Sequence, residues 1–331
     1  MRIVVDGMGG DRAPEEIVRG AAEAAAEYRD VTVVLTGDEA RLKPLLAAVP
    51  GGESVEVVHA SQVIETGEPP VQALRRKKDS SLVVAINLVR DGAADAVVSA
   101  GSTGAFMAGS LLALGRLAGI DRPALASVFP TLNGGSLLID MGANVDCKPE
   151  HLLQFAVMGS CYAEAILGRP RPSIGLLSVG TEESKGSELV KAAHQLLKEA
   201  PGLNFIGNIE ARDIPLGGAD VIVCDGFAGN IVLKLTEGVA GALFTMLKSE
   251  FKKSLPRALA AAALRPAFVE LKKKMDYAEY GGAPLLGLKG AAIKCHGSSD
   301  ARAIKNGVRA ARQFVAEGVL DRISRYFAPK E

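Results

Sequence analysis

The stretch SVGTEESKG at residues 178–186 places Lys185 in a loop that is rich in glycine and hydroxyl groups. Such a loop can bind an anion, because glycine exposes backbone N–H groups and the ammonium group adds positive charge. The order of residues departs from a nucleotide-binding P-loop, G-x-x-x-x-G-K-[ST], since Lys185 precedes Gly186. The loop therefore predicts a site for free phosphate or a phosphorylated substrate, and not an ATP site.

The charge of Lys185 admits two interpretations. A cation beside the N-terminus of a helix is disfavoured by about 0.3–1 kcal/mol, because the helix dipole is positive there. Either Glu182 and Glu183 neutralise Lys185, or a bound anion does. The amide donors that surround the lysine favour the bound anion.

Four other loops carry similar chemistry, and each follows an apolar run: AGSTG at 100–104, MGAN at 141–144, DGFAGN at 225–230 and HGSSD at 296–300. In open parallel sheets, ligands bind outside the carboxyl ends of the strands, where loops lead into helices. We therefore expect the loops to meet in one pocket that binds an oxyanion. The predicted phosphate- or substrate-binding residues are Gly101, Ser102, Thr103, Gly104, Asn144, Gly180, Thr181, Ser184, Asp225, Gly226, Gly229, Ser298 and Ser299.

Helix capping is an alternative role for several polar residues in these loops. Ser, Thr and Asn are common N-cap residues, and for any one of them taken alone capping is the commoner role. This alternative applies to Ser102, Thr103, Asn230 and Ser299. His296 is equally compatible with a surface-turn histidine and with an imidazole that donates to an anion or moves a proton.

The composition excludes several classes of protein. The chain has 331 residues, of which 48% are hydrophobic, and this is enough for a sizeable core. Its 38 basic residues balance 38 acidic ones, and aromatic residues make up 5% with no Trp. We expect no nucleic-acid partner, because the chain offers neither a basic excess nor base-stacking aromatics.

The cysteines and histidines do not predict a metal site. The four cysteines lack C-x-x-C spacing, and no H-E-x-x-H or paired acidic ligand spacing accompanies the four histidines. We therefore expect neither a disulfide framework nor a bound metal. Cys224 and Cys295 lie in apolar segments where a thiol is usually inert, so an acyl-accepting cysteine is the less favoured hypothesis.

The N-terminal residues predict a cytoplasmic protein. Asp6 lies where the apolar region of a signal peptide would be. No uncharged run reaches the length of a membrane-spanning helix.

The pattern of apolar runs predicts a doubly wound, Rossmann-like α/β fold with a mainly parallel sheet. Nearly unbroken Val/Ile/Leu runs alternate with helix-length segments, as expected for strands buried on both faces. The Pro-Arg-Pro sequence at 170–172 is the candidate seam in a single unit with two lobes, roughly 1–170 and 171–331. The predicted strands are 2–7, 31–37, 94–101, 135–142, 173–180, 219–226 and 291–297.

Residues 251–277 break this alternation and predict a projecting helical hairpin. Pro256 and Pro266 bracket a small apolar block, and residues 248–274 hold eight basic residues against two acidic ones. The segment fits either a dimer-packing arm or a contact with a membrane surface, and the two roles are compatible. Leu259 and Leu264 are the candidate membrane-contact residues.

Taken together, the motifs resemble those of the phosphate acyltransferase family PlsX of bacterial phospholipid synthesis. The matching stretches are DGMGGDRAPEEIV, VSAGSTGA, IDMGANVDCKPEHL, SVGTEESKG, CDGFAGNIVLK, YGGAPLLGLKG and IKCHGSSD. They run in order from Met1 to about Val315 without large gaps. Gly7 stands where many relatives carry Ala, and this small change does not affect the resemblance.

The resemblance implies a reaction and a set of partners. Acyl-[acyl carrier protein] and inorganic phosphate would give acyl phosphate and free carrier protein, and the product would pass to a glycerol-3-phosphate acyltransferase at the membrane. The fold would be similar to the phosphotransacetylase and isocitrate dehydrogenase-like fold. The family also implies a homodimer, no cofactor, and peripheral association with the inner face of the cell membrane through the hairpin.

For this reaction the resemblance and the loops suggest direct attack of phosphate on the thioester, because no activated Ser or Cys beside a base is visible. Lys185 would neutralise the phosphate and the developing charge, and Asn230 would orient phosphate or the thioester carbonyl. His296 and Ser298 would bind the anion. The backbone of 101–104 and 226–229 would complete the cradle.

Two other functions remain open at this point. The DGMGGD motif and Asp38 suggest a nicotinamide-dependent dehydrogenase, although glycines at positions 7, 9 and 10 do not match G-x-G-x-x-G. A non-catalytic phosphate-binding or membrane scaffold protein is the second alternative.

Overall fold

A computed structural model describes residues 1–274 and 281–328 of the chain. In these residues one sheet contains eleven strands. The strands are β1 (Arg2–Asp6), β2 (Thr32–Gly37), β3 (Glu56–His59), β4 (Ala96–Ser99), β5 (Ala124–Phe129), β6 (Ser136–Ile139), β7 (Ser173–Ser178), β8 (Asn204–Glu210), β9 (Val221–Val223), β10 (Ala283–Leu286) and β11 (Ala291–Lys294).

Helices cover both faces of the sheet, and they alternate with the strands along most of the chain. They are α1 (Glu15–Glu27), α2 (Glu39–Ala47), α3 (Pro70–Arg76), α4 (Ser81–Arg90), α5 (Thr103–Leu114), α6 (Pro149–Ile166), α7 (Glu188–Glu199), α8 (Gly226–Phe251), α9 (Leu255–Ala263), α10 (Arg265–Lys274), α11 (Ala301–Ala316) and α12 (Val319–Phe327).

The strand order is β3-β2-β1-β4-β11-β10-β5-β6-β9-β7-β8. Strands β3, β2, β1, β4 and β11 form one parallel set, and β6, β9, β7 and β8 form a second. Between the sets, β10 is antiparallel to β11 and β5, and β5 is antiparallel to β6. The prediction of a mainly parallel α/β sheet is confirmed, and the sheet also contains this antiparallel centre.

The antiparallel centre decides where a site can form. Because it reverses the chain direction an odd number of times, the two parallel sets run in opposite directions. The last residue of β11, Lys294, pairs with Ala283 of β10, and Leu285 of β10 pairs with Leu125 of β5. The last residue of β6, Ile139, pairs with Ala126, which follows Leu125 in β5. The carboxyl ends of both sets therefore meet at the β10–β5 pair.

The hydrophobic core lies on both faces of the sheet, as expected for strands covered by helices on both sides. In β1, Ile3 and Val5 pack into the cluster beneath α1, α6 and α11. Val4, between them, points to the opposite face and packs with residues of α4 and α5. This alternation explains why the strand sequences are apolar at nearly every position.

The C-terminal elements return to the first strands of the chain. Strand β11 pairs with β4, and α11 packs against α1. The seam at 170–172 falls between α6 and β7. The division into lobes at that seam stays a prediction.

Helices α8, α9 and α10 form an arm, and we use that name for residues 226–274. Within the arm, Phe251 at the end of α8 and Phe268 in α10 have ring centroids 5.4 Å apart. No residue of α9 is buried. Most of the predicted hairpin, 251–277, falls on this arm, and its last residues, 275–277, lie outside the described part of the chain.

Helix α8 is the only helix in residues 1–274 and 281–328 that is long and apolar enough to cross a membrane by length and composition. Its first turns, however, pack on the loop that follows β6, as described below. Length and composition alone do not make it a membrane span.

Candidate active site

A cavity of about 420 Å³ lies where the carboxyl ends of the two strand sets meet. Leu125 and Ser127 of β5 and Ala283 of β10 form part of its wall. Four of the five loops that the sequence singles out contribute lining residues, namely 100–104, 141–144, 225–230 and 296–300. Loops from distant parts of the chain thus surround one cavity.

The structure brings some predicted site residues to this cavity and leaves others away from it. Gly101, Thr103, Asn230, His296 and Ser299 line it. The 178–186 loop contributes no lining residue, and Lys185 is exposed. The remaining predicted residues that do not line the cavity are Ser102, Gly104, Asn144, Gly180, Thr181, Ser184, Asp225, Gly226, Gly229 and Ser298.

Several predicted binding residues make structural hydrogen bonds. Ser102 and Asp225 are the N-caps of α5 and α8, and they accept hydrogen bonds from Ala105 N and Ala228 N. Asn144 donates through Nδ2 to the carbonyl of Pro123 at 2.8 Å and to Oδ2 of Asp140 at 2.9 Å. These bonds hold the loops in place around the cavity.

Asp140 organises the loop that follows β6. Its buried carboxylate accepts hydrogen bonds from the backbone N–H groups of Leu125, Gly142, Ala143 and Asn144. Burial raises the pKa of Asp140, and the hydrogen bonds from the loop oppose that rise. The carboxylate thereby fixes residues 141–144 against β5.

Two glycines allow α8 to approach this loop closely. A Cβ atom on Gly226 would lie 2.7 Å from the Asn144 carbonyl oxygen, and one on Gly229 would lie 1.9 Å from the Asp140 carbonyl oxygen. Only glycine leaves room for such contacts between backbones. The close approach places Asn230, the next residue, against Gly142 at the edge of the cavity.

One face of α8 forms a wall of the cavity. Asn230, Leu233, Lys234 and Glu237 all line it, at the three- and four-residue spacing of one helix face. Lys234 donates to Glu237 Oε2 at 2.9 Å, whereas Glu237 Oε1 is buried without a partner among the described residues. Lys234 was not among the predicted site residues, although it lies one turn after Asn230.

His296 lines the same cavity and is held by its own loop. Its Nδ1 accepts a hydrogen bond from the Ser298 backbone N–H at 3.2 Å and lies 2.8 Å from Ser298 Oγ. Because Nδ1 accepts, the neutral ring carries its proton on Nε2. Burial, with Lys234 and Lys294 nearby, lowers the pKa of His296. The imidazole is therefore a neutral N–H donor near neutral pH.

A buried chain of hydrogen bonds holds the AGSTG loop. Ser99 Oγ donates to Asp6 Oδ2 at 2.7 Å and accepts from the Gly101 backbone N–H at 3.0 Å. Burial raises the pKa of Asp6. Asp11, from the loop after β1, also lines the cavity and donates through its backbone N–H to the Gly297 carbonyl.

Lys294 is a further cavity residue that the sequence argument missed. It is the last residue of β11, it is 6% exposed, and its Nζ donates to the carbonyl of Cys295. Burial lowers the pKa of Lys294 to about 8. A lysine inside the apolar run AAIKC was the available signal, because such a residue is rarely buried without a reason.

The cavity is suited to bind and polarise an anion. Its lining combines two lysines, a neutral imidazole N–H and the Asn230 amide with the carboxylates of Asp11 and Glu237, of which Glu237 is paired with Lys234. Burial raises the pKa of the nearby Cys295 thiol to about 11 and that of Cys224 well above its ordinary value. The two buried thiols are therefore poor nucleophiles. The described residues contain no group of three or more His, Cys, Asp or Glu side chains placed to hold a metal ion.

Comparison with known proteins shows what this chain is similar to. A family model described as "Fatty acid synthesis protein" matches residues 1–322. The phosphate acyltransferase of Desulfitobacterium hafniense (strain DSM 10664 / DCB-2) is 56% identical over 329 residues, covering 98% of this chain and 97% of that protein. The phosphate acyltransferase of Heliobacterium modesticaldum (strain ATCC 51547 / Ice1) is 54% identical over 332 residues, covering 100% of this chain and 98% of that protein.

Structural comparison confirms the fold. A phosphotransacetylase from Streptococcus pyogenes superposes with a TM-score of 0.65 at 20% identity, covering 96% of this chain and 94% of that one. At this level of identity the likeness concerns the fold alone. The two nearly full-length relatives decide the family: this chain belongs to the phosphate acyltransferases and is an acyltransferase enzyme.

Proposed function

We propose that the enzyme transfers the acyl group of an acyl-[acyl carrier protein] thioester to inorganic phosphate, in bacterial phospholipid synthesis. The observation that carries this proposal is the cavity itself, in which cationic and neutral donors surround a space and the nearby thiols are buried and protonated. An enzyme with this lining can bind two reactants but offers no activated nucleophile of its own.

The proposed step is direct displacement. A phosphate oxygen attacks the thioester carbonyl carbon, the new C–O bond forms, and the C–S bond breaks. The proton of the hydrogen phosphate dianion ends on the departing thiolate of the carrier protein. No covalent acyl-enzyme forms, so the reaction requires both substrates to be bound together.

The residues that line the cavity fit this step. Asn230 and the Nε2–H of His296 donate to the oxygen that becomes negative, and the backbone of the AGSTG loop contributes further N–H groups. One donor of this kind contributes about 2.7–4 kcal/mol to transition-state stabilisation. Alignment of the two reactants contributes about 7–11 kcal/mol more.

Lys185 lies outside the cavity lining, and we propose it as a second cation for phosphate, at the carboxyl end of β7. The loop around it is anchored by Asn208, whose Nδ2 donates to the Glu182 carbonyl at 2.9 Å. Glu183 pairs with Lys198 at 2.7 Å, which leaves Lys185 without that partner. The loop is therefore built in a way that presents the ammonium group to solvent or to an anion.

The acyl chain is proposed to extend along α8 into a neighbouring cavity of about 40 Å³. Four residues line both cavities: Ser127, Met141, Leu233 and Glu237. Beyond them the smaller cavity is lined by Phe129, Pro130 and Ala240, among other residues. If the thioester lies beside Asn230, the first carbons of the apolar acyl chain would be buried in this smaller cavity.

The arm is the proposed surface for the membrane and for a second copy of the chain. Leu259 and Leu264 are 63% and 52% exposed and lie close to basic residues of the same arm. On α8, Ile231, Leu235 and Val239 form an exposed apolar stripe on the face opposite the cavity. These features support a homodimer that is cytoplasmic, associates peripherally with the inner face of the cell membrane and delivers acyl phosphate to a glycerol-3-phosphate acyltransferase.

The proposal is tested by mixing an acyl carrier protein thioester with radiolabelled phosphate and the purified enzyme. We expect labelled acyl phosphate, trapped as a hydroxamate, and initial rates that follow sequential kinetics in the two substrates. Release of free carrier protein without phosphate would contradict direct displacement. Absence of labelled product with any acyl carrier thioester would overturn the proposed reaction.

A further inference from the structure

Lys294 is a buried cation that contacts no carboxylate of residues 1–274 or 281–328. Its side chain lines the cavity although it is 6% exposed, and its Nζ donates to the Cys295 carbonyl. Among the described residues, no carboxylate lies within 4.0 Å of this ammonium group. Buried charges in proteins are normally paired, because an unpaired charge costs several kcal/mol of solvation.

The charged groups that face Lys294 come from four parts of the chain. Asp6 of β1 is buried, with Oδ2 bound to Ser99 and Oδ1 without a partner among the described residues. Asp11 lies in the loop after β1, and His296 follows β11. On α8, Lys234 is already paired with Glu237 at 2.9 Å. Of the two cavity lysines, Lys294 is therefore the one that makes no ion pair within the described part of the chain, and Asp6 and Asp11 act on it only at longer range.

We propose that the Lys294 ammonium group binds the phosphate dianion in this cavity and holds it for attack on the acyl donor. The inference rests on the proposed function for the identity of the anion. It rests on the structure for the site, because Lys294, Asn230 and the Nε2–H of His296 surround the same space. The dianion supplies the missing counterion, and Lys294 supplies a charge-assisted hydrogen bond to it.

The protonation state of Lys294 depends on whether an anion is bound. Burial lowers the pKa of this lysine to about 8, so part of the population is neutral in mildly alkaline solution. A bound anion favours the ammonium form and raises that pKa again. Anion binding and proton uptake by Lys294 are thus linked.

The first test measures binding of radiolabelled phosphate by equilibrium dialysis, with the KM for phosphate as a second readout. Lys294→Met keeps the length and apolar stem of the side chain, and we expect binding weaker on the order of 10- to 100-fold. The control is Lys289→Met, which removes an exposed lysine from the turn before β11 and should bind as wild type does. Binding by Lys294→Met within about threefold of wild type would overturn the inference.

The second test uses sulfate, because its charge does not change in the relevant pH range. For the wild type, sulfate affinity should fall as the pH rises through about 8, since the ammonium form is lost. Lys294→Arg should bind sulfate without this pH step, because a guanidinium stays charged. Other charged or titratable groups near the cavity are the same in all three proteins, so their effect on the pH profile of sulfate binding is shared. These groups are Asp6, Asp11, Glu237, Lys234 and His296. A wild-type profile with no step, or a step that persists in Lys294→Met, would overturn the inference.

The two proposals fail in different ways. If the wild type forms acyl phosphate and Lys294→Met binds and uses phosphate normally, the assignment of Lys294 is wrong and the reaction stands. If the wild type forms no acyl phosphate, but binds anions that Lys294→Met fails to bind, the proposed reaction is wrong and the anion site stands. Lys294→Met should fold, because replacing an unpaired buried charge by an apolar side chain of similar size is often neutral or stabilising.

Discussion

Gly229 and Asp140 are in such close contact that a Cβ atom on Gly229 would lie 1.9 Å from the Asp140 carbonyl oxygen. We therefore expect Gly229→Ala to push α8 away from the 140–144 loop and to displace Asn230 from the cavity. The expected result is a lower melting temperature, with a loss of folding stability on the order of 1–3 kcal/mol. We also expect a lower kcat, because Asn230 leaves the cavity. Thermal unfolding and the phosphate-dependent assay measure the two effects.

Gly238→Ala is the matched control on the same helix. A Cβ atom on Gly238 would meet nothing within 4 Å. Because alanine favours the helix interior over glycine, this variant should gain up to about 1 kcal/mol in stability. Equal effects of the two substitutions would show that the contact with Asp140 does not position α8.

The contrast between these glycines shows what the sequence could and could not predict. The motif DGFAGN offers exposed amides, and on that ground Gly226 and Gly229 are predicted to bind phosphate, which stays a prediction. In the structure they also allow two backbones to touch, because Asn144 and Asp140 lie against them. Glycine in a loop and glycine at a helix contact look alike in a single sequence.

The seven predicted strands are all present, and the four that were missed are short or interrupted by polar residues or glycine. Strand β8, NFIGNIE, is interrupted by Gly and Asn, and β10, APLL, is short and contains Pro284. Strands β10 and β5 are also the ones that reverse the direction of the sheet. The sequence therefore predicted a parallel sheet without the antiparallel centre at which the cavity forms.

Loop chemistry predicted part of the cavity and missed its lysines. Gly101, Thr103, Asn230, His296 and Ser299 carry recognisable donor groups in glycine-rich loops, and they line the cavity. The lysines at 234 and 294 lie inside a helix and a strand. Regular elements are usually interpreted as scaffold. Only the position of Lys294 in the apolar run AAIKC marked it as unusual, whereas the position of Lys234 in α8 became informative once the fold was known.

Lys185→Ala tests the lysine that the sequence argument favoured. If Lys185 neutralises phosphate, this variant should lose acyl-phosphate formation by orders of magnitude while its melting temperature stays close to that of wild type, because the side chain is exposed. Steady-state rates and thermal unfolding check this expectation. Lys191→Ala, which removes a partly exposed lysine of α7 that pairs with Glu188, is the control for a general change of charge in this region. Activity of Lys185→Ala within about threefold of wild type would remove Lys185 from the mechanism and leave the cavity lysines.

Lys294 also predicts a pH dependence of stability. Its pKa is lowered from 10.5 in the unfolded chain to about 8 in the folded protein, so the fold prefers the neutral amine. The stability that this preference contributes is present above pH 10.5 and is lost as the pH falls toward 8. The full difference corresponds to about 3 kcal/mol. Urea unfolding of wild type and Lys294→Met at several pH values should show the wild type gaining relative to the variant above about pH 8. Parallel pH profiles would contradict a buried, titrating lysine.

The second, smaller cavity predicts a change in acyl-chain preference. Ala240 lines this cavity, and the larger side chain of Ala240→Phe should fill it. We expect Ala240→Phe to raise the KM for long acyl chains by about tenfold and to leave short chains nearly unchanged. Val239→Phe is the control, because Val239 is 49% exposed and does not line either cavity. A uniform loss of activity over all chain lengths would place the acyl chain elsewhere.

The part of the arm after α8 predicts a membrane contact that can be separated from catalysis. Leu259 and Leu264 are largely exposed, and neither lines the cavity. Replacing both with Asp places negative charge at an apolar surface, so the variant should be released from anionic vesicles in a sedimentation assay. Its activity on soluble acyl carrier substrate should persist, since the cavity is untouched. Leu112→Asp is the control, because Leu112 is 73% exposed at the end of α5 and outside the arm. If the double variant and the control bind vesicles equally well, the exposed leucines of the arm belong to a contact between protein chains.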